Sequence, residues 1–456
     1  MTARLPGYGE NQPRPLDTRR PVVLVVLDGL GDRPVPELGL RTPAEAARTP
    51  VLDELARRGA SGWHVPFGWG RAPSSEVSHW ALLGYHDLPF PGRAVLEAIG
   101  ARLDVPYGVA ALHGALRTSA GDGDVVWVTG RAARSDADDA AALLDGLAPV
   151  AADHGVEVRP LDRAGEALLL LPARASGDVS DSDPFFEHLH PWLRPAGGSP
   201  EGEALAADLV TFLLAARVAL RGAPVNAERA RRGLPPLDLL TTKWAGVRSP
   251  LPSFEEVVGL PGGAVTSSGL YRGLAALLGM DSRDVPSDPD LTADMAARVA
   301  AGAELLDAGA AFVHVHTKAP DEAGHTKAPY AKRDVMEALD AGLAGLLDLA
   351  NRAVVAVTGD HATPSTGGVL HTGDPTPFVM AGGAVRPDRV AAFGEAPARD
   401  GDLGVLRAAT CSRCCSPPPT ARRSSVTAPG RGGPSRCPTG RSRCRRGRAS
   451  VAAPVA

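Results

Sequence analysis

The sequence predicts an α/β fold, a mostly parallel sheet flanked by helices, with a smaller α/β domain inserted into it. Three observations carry that expectation. Apolar runs rich in Val and Ala, VVLVVL from Val22, FVHVH from Phe312 and AVVAV from Ala353, suit strands covered on both faces. Helical periodicities lie between such runs, and strands alternating with helices form parallel sheets. Each run leads into Asp or His side chains, and open α/β sheets build their ligand sites at the carboxyl ends of strands.

In chain order, residues 1–20 are rich in Pro, Arg and Gly and read as a loose arm. The first strand ends at Asp28-Gly29. Thr49-Pro50 opens a helix with Leu52 and Leu55 on one face and Gly59 as its stop. The stretch from Pro66 to His79 mixes Gly, Pro and Ser, a loop composition that exposes backbone and hydroxyl groups. From Leu112 to Leu240 the pattern becomes Ala- and Leu-rich, with short strands such as Asp124 to Val128, so residues 112–240 are expected to be the inserted domain. Residues 21–111 and 241–407 then form the core, and residues 221–236 a polar connector back to it. Ser253 to Met280 supplies another helix and strand. Phe312 to His316 runs into Lys318, Asp321 and His325. Tyr330 to Ala350 reads as one helix, with Met336, Leu339, Leu343, Leu346 and Leu347 at helical spacing. The strand Ala353 to Val357 ends at Thr358-Gly359, followed by Asp360, His361 and, further on, His371.

A chain of 456 residues exceeds one ordinary core. No apolar run approaches the ~18 residues needed to cross a bilayer, and residues 1–20 lack the apolar centre of a signal peptide, so a cytoplasmic protein is expected. All five cysteines lie beyond residue 408, in a tail with ten Arg and no Asp, Glu or Lys, while the formal charge of the whole chain is -4. The body is therefore acidic, which argues against a nucleic-acid partner. Cys411 and Cys414 lack the second pair that a zinc site requires.

Asp28, then Asp321 with His325, then Asp360, His361 and His371 all follow strands. Taken singly, each is more cheaply explained as a cap, a turn residue or a solvated charge. Adjacent Asp360 and His361 can meet one ion only if the chain turns, as Gly359 permits. Together they supply the oxygen and nitrogen donors that suit Mn²⁺ or Zn²⁺. Two close metal ions stabilise the attacking and leaving oxygens of a phosphoryl transfer.

Eight motifs in order carry a resemblance: Asp28-Gly-Leu-Gly-Asp32, Thr42-Pro-Ala-Glu-Ala-Ala, Pro73-Ser-Ser-Glu-Val-Ser-His79, Leu83-Gly-Tyr85, Gly92-Arg-Ala-Val-Leu-Glu-Ala-Ile-Gly100, Leu251-Pro-Ser-Phe-Glu-Glu, Lys318-Ala-Pro-Asp-Glu-Ala-Gly-His325 and Thr358-Gly-Asp-His-Ala-Thr-Pro364 with His371. Over residues 21–407 the chain resembles the archaeal-type cofactor-independent phosphoglycerate mutases of the alkaline phosphatase superfamily. The resemblance implies an alkaline-phosphatase-like core and a phosphorylated Ser75. It implies two divalent metal ions, Mn²⁺ or Zn²⁺ with Mg²⁺ a further candidate. Asp28, Ser75, Asp360 and His361 would hold one, and Asp321, His325 and His371 the other. Ser74, at a position the family gives to glycine, is the rival nucleophile. Lys318 joins Ser75 as a candidate catalytic residue, and His79, Arg131, Asp181, Asp183 and Lys243 are candidate substrate contacts.

The chain departs from the family pattern in places. Glu76 stands for the usual Asp. The smaller domain has His113 to Thr118 where the family has R-x-N-x-x-T, and Val126-Trp127-Val128 before Gly130-Arg131 where it has an acid and an arginine. A His or Trp does not replace the planar guanidinium fork on a carboxylate or phosphate. Asp181-Ser-Asp-Pro184 keeps the family's D-x-D-P, and a simple turn is its alternative reading. The expected activity is interconversion of 2- and 3-phosphoglycerate. A phosphatase, or an enzyme of another phosphorylated or phosphonate acid, is the alternative, and an inactive binding relative the third. After Gly401-Asp-Leu-Gly404 the family continues into an apolar helix. The abrupt Arg-, Pro- and Cys-rich composition of residues 408–456 instead points to a frameshift and a disordered tail.

Overall fold

The computed structural model describes residues 20–121, 125–184 and 189–407. The expected arm, apart from Arg20, and the whole 408–456 tail lie outside the described residues, as does Asp124. In chain order the strands are β1 (Val22–Leu27), β2 (Gly59–Val65), β3 (Ala110–Ala120), β4 (Trp127–Arg131), β5 (Glu157–Pro160), β6 (Glu166–Leu171) and β7 (His190–Pro191). They continue as β8 (Leu239–Val247), β9 (Gly262–Thr266), β10 (Asp281–Asp284), β11 (Phe312–Thr317), β12 (Val354–Thr358), β13 (Thr376–Ala381) and β14 (Gly404–Arg407).

The large sheet has the order β10-β9-β11-β1-β12-β13-β2-β14. It is parallel except at β13, which runs antiparallel to both β12 and β2. β1 lies between β11 and β12, so the carboxyl ends that carry Asp28, Lys318 and Asp360 are brought side by side. Alternation divides each strand between two cores. Val23, Val25, Val313, Val315, Val355 and Val357 pack against helices Leu291–Asp307 and Pro329–Gly342 through Met295, Met336 and Leu339. Val22, Leu24, Phe312 and Ala356 face the other way, toward Trp80, Tyr85, Phe254 and Tyr271. Burial on both faces is why these strands read as unbroken apolar runs.

The smaller sheet is antiparallel, with β3 at its centre pairing with β6, β4 and β8. Leu112, Leu116, Leu169 and Leu240 pack on its helix-covered face against Leu205, Leu209 and Phe212. Ala111, Leu168 and Leu170 meet Val95 and Ala98 of helix Arg93–Gly100 on its other face.

Several expectations shift. The expected boundaries at 111/112 and 240/241 fall inside β3 and β8, because neither strand carries a turn residue there. The strand expected at Asp124 to Val128 is β4, beginning at Trp127. The 221–236 connector is mostly helix, Pro224–Arg231, and its polar residues are spent internally. Asn226 donates to the carbonyls of Leu220 and Leu237, and Arg229 to Asp136 and Asp139. The 330–350 helix is two, Pro329–Gly342 and Gly345–Leu349, interrupted between glycines that weaken a helix. The 66–79 loop ends early, since a helix begins at Ser75.

Candidate metal centre and nucleophile

Ser75 occupies the first turn of helix Ser75–Trp80, beyond the end of β1. Its Oγ lies 3.0 Å from Nε2 of His361 and 3.3 Å from Oδ1 of Asp28. His361 Nε2 is also 3.2 Å from Asp28 Oδ1 and 3.4 Å from Asp360 Oδ2. Asp28, Asp360 and His361 are wholly buried, and Asp360 Oδ2 has no hydrogen-bond partner. Ser74, by contrast, is exposed. Four donor atoms therefore converge on one point, as the resemblance implies for the first ion.

The second group is looser. Asp321 Oδ1 is 3.2 Å from His325 Nε2 and 3.4 Å from His371 Nε2. His371 and His361 stack with ring centroids 3.9 Å apart, so the tight trio here is Asp321, His361 and His371, with His325 at its edge. His371 donates from Nδ1 to the Pro73 carbonyl, which turns Nε2 toward Asp321. Gly29 is required between the two groups. It has φ +67°, and a Cβ there would lie 2.6 Å from the Asp321 Cα.

Three buried carboxylates so close together repel one another. Burial, and then the charge of Asp28, push Asp360 well above the usual carboxylate range. At Asp28 burial works the same way, but hydrogen bonds from His316 and His361 outweigh it and hold the group well below that range. Lys318 Nζ, 3.0 Å from Asp321 and 3.7 Å from Asp28, is the cation at this cluster. Oxygen and imidazole donors of this kind, one carboxylate oxygen lacking a partner, fit divalent cations.

The structure places the expected substrate contacts differently from the candidate metal ligands. His79 is fully buried, behind the serine and 3.5 Å from Asp360, and does not line the cleft. Its Nδ1 donates to the Ser75 carbonyl, its ring packs against Tyr271, His314 and His316, and burial followed by His316 pushes its imidazole down to about 3. It is a neutral strut beneath the serine. Asp183 is consumed by Arg117 at 2.9 Å, His190 at 3.0 Å and Lys243 at 3.3 Å. Asp181 Oδ1 accepts the Trp244 N–H. Arg131 lies exposed at the end of β4, across from Arg117. The cleft of about 490 Å³ that reaches Ser75 is instead lined by Lys318, Tyr271, Arg93, Glu97 and Arg163.

Of that set sequence reasoning had singled out Lys318 but not Tyr271, Arg93, Glu97 or Arg163, and it missed the supports of Asp28. Tyr271 Oη donates to Asp28 Oδ2 at 3.0 Å, and His316 Nε2 at 3.1 Å. The alternation in FVHVH was the available signal, since it puts His314 and His316 on the same face of β11.

The profile of the Metalloenzyme superfamily matches residues 20–415. The chain is similar to a 2,3-bisphosphoglycerate-independent phosphoglycerate mutase of Methanoculleus marisnigri, 37% identical over 400 residues that cover 85% of this chain and 94% of that one. Its counterpart from Thermoplasma volcanium is 35% identical over 394 residues, 84% and 93% of the two chains. Among solved structures, the cofactor-independent phosphoglycerate mutase from Thermoplasma acidophilum superposes with a TM-score of 0.60 at 30% identity, over 87% of this chain and 98% of that one. A protein from Pyrococcus horikoshii superposes with a TM-score of 0.71 at 27% identity, over 87% and 96%.

Proposed function

The chain belongs to the Metalloenzyme superfamily and, within it, to the 2,3-bisphosphoglycerate-independent phosphoglycerate mutases, and on that premise we propose that it interconverts 2- and 3-phosphoglycerate through a phosphorylated Ser75. The observation that carries the reading is the convergence of Ser75 Oγ with His361 and Asp28 within 3.3 Å, at the floor of a cleft rimmed by cations. Asp28, Ser75, Asp360 and His361 would hold one divalent cation and Asp321, His325 and His371 the other, Mn²⁺ or Zn²⁺ by donor type. When bound, such ions supply Lewis acidity, lowering the serine pKa and offsetting phosphoryl charge.

The remaining steps belong to the protein. Ser75 Oγ bonds to phosphorus as the bond from phosphorus to the acid's oxygen breaks, and the serine proton ends on the released hydroxyl. Glycerate then turns within the cleft. Its other hydroxyl takes the phosphoryl group back, and the proton returns to Ser75. Lys318, at the cleft lip, offers its ammonium to the phosphoryl oxygens, and Arg93 and Arg163, which both approach Glu97 Oε1, retain the organic acid. Retention decides the outcome, because a released glycerate leaves water as the acceptor. The smaller sheet, from β3 to β8, serves with helix Arg93–Gly100 as the substrate-holding half. A cytoplasmic setting is part of this proposal; among the described residues no helix is long and apolar enough to cross a membrane.

The test is incubation of the Mn²⁺-loaded protein with 3-phosphoglycerate, measuring 2-phosphoglycerate and free phosphate together. Formation of 2-phosphoglycerate without phosphate is the expected result. Phosphate alone would make the protein a hydrolase, and neither product would remove the enzymatic reading for this substrate.

A further inference from the structure

Trp244 has φ +59°, a left-handed backbone that an L-residue with a bulky side chain rarely adopts. It lies in β8 where the register against β3 shifts between Ala111 and His113, and its N–H donates to Asp181 Oδ1 at 2.8 Å. A backbone held in such a conformation signals that the side chain is wanted where that conformation puts it. The indole lies under Arg93, whose guanidinium carbon is 3.8 Å from the ring centroid. The His113 ring is 5.0 Å away on the same sheet.

Arg93 is otherwise held by two carboxylates. Its Nε meets Glu97 at 2.9 Å and its Nη1 lies 3.5 Å from Glu76, the neighbour of the nucleophile. Of these only the Nε contact is a hydrogen bond, and the approach of Nη1 to Glu76 is a longer ion pair. The guanidinium carbon sits over the indole face, and Arg93 lines the same cleft as Ser75. At the helix start, Gly92 and Gly246 touch backbone to backbone, where a Cβ on Gly92 would lie 2.4 Å from the Gly246 Cα, so strand and helix cannot slide apart at this point without opening that contact.

The geometry points to Trp244 as a positioning residue for specificity: a strained platform that fixes Arg93 to receive the carboxylate of the phosphorylated acid. The assignment rests on the phosphoryl-transfer reading above. With phosphorus at Ser75 Oγ, the group reaching Arg93 is the far end of the substrate, and a planar fork on an aromatic face suits a carboxylate.

The test compares wild type, Trp244→Gly and Trp244→Phe, all Mn²⁺-loaded. Glycine removes the platform and relieves the backbone, so the urea midpoint should stay level or rise while KM for 3-phosphoglycerate rises about 3- to 30-fold, the range of a cation–π contact. Phenylalanine should recover most of that affinity. Calorimetric binding of glycerol 3-phosphate, which lacks the carboxylate, should be equal in all three. A lower urea midpoint with unchanged KM in Trp244→Gly would make Trp244 purely structural, and equal weakening of both ligands would remove the carboxylate assignment. If wild type does not turn over 3-phosphoglycerate, the mutase reading fails, and the calorimetric comparison of the two ligands still decides the role of Trp244.

Discussion

Lys332 and Asp32 face each other at 3.1 Å, both shut off from solvent, behind the loops that carry the candidate metal ligands. The ammonium also donates to the carbonyls of Gly29 and Gly31, after β1, and of Thr363, after β12. One side chain of helix Pro329–Gly342 thus pins the loops that carry Asp28, Asp360 and His361. Replacing Lys332 with Met leaves Asp32 buried without its countercharge and the Gly29 and Thr363 carbonyls without a donor, Gly31 keeping the Thr363 N–H, which costs about 3–5 kcal/mol. The variant is expected to lose that much in urea unfolding and to bind Mn²⁺ at least tenfold more weakly. Removing Asp32 as well should recover little, since its carboxylate also accepts the N–H groups of Arg33 and Ser365. Normal metal affinity in Lys332→Met would refute the pinning role.

Ser74 and Ser75 are neighbours in sequence and opposites in setting. Ser75 Oγ points into the carboxylate and imidazole cluster, whereas Ser74 is exposed. Ser75→Ala is expected to lower kcat by a factor of about 10³ or more, as expected when a nucleophile is deleted and only binding remains. Ser74→Ala should stay within about threefold of wild type. Trapping protein incubated with ³²P-labelled substrate in acid and mapping the phosphorylated peptide checks the assignment. A labelled Ser74 would reverse it.

What could be read in advance follows from how each residue signals. Strands buried on both faces announce themselves as apolar runs, and the ligands at their ends stand out because Asp and His interrupt those runs at Asp28, Asp321 and Asp360. His79 gave no sign of its direction, because polarity alone does not say whether a histidine faces a cleft or a core. Lys332 looked like any charge on the outer face of an amphipathic helix. Trp244 was invisible for another reason: a left-handed φ at a Trp contradicts local propensity, and only the pairing of β8 with β3 and helix Arg93–Gly100 imposes it. The substrate side, assembled from contacts between the two sheets, was correspondingly less legible than the metal side.

Stripping divalent ions should destabilise the fold as well as abolish activity. Without cations, Asp28, Asp360 and Asp321 face one another with Lys318 as the cation at the cluster, and repulsion that ions would offset is left standing. Readdition of Mn²⁺ at about 100 times its dissociation constant should restore about 2.7 kcal/mol per site. Thermal melts of EDTA-treated protein, before and after titration with Mn²⁺, give the measurement. A melting temperature indifferent to the metal is the contrary outcome.

Glu97 joins helix Arg93–Gly100 to the smaller sheet and gives that junction a pH dependence. Its carboxylate lies 2.9 Å from both Arg93 Nε and His113 Nδ1. Burial raises its pKa, but the hydrogen bond from His113 and the charge of Arg93 outweigh burial and bring it down to about 2. A folded-state pKa below the unfolded value of about 4.3 means that the ionised form is favoured by folding. Its stabilisation is therefore complete above about pH 5 and is lost as the pH falls toward 2. The shift corresponds to stability on the order of 3 kcal/mol, so Glu97→Gln should unfold at distinctly lower urea at pH 7. Between pH 4.5 and 3 the gap between the two proteins should narrow, because wild type loses what the variant never had. Urea midpoints of both proteins across pH 7 to 3 test the sign directly: a gap that stays constant or widens toward acid would mean that Glu97 acts through packing and not through its charge.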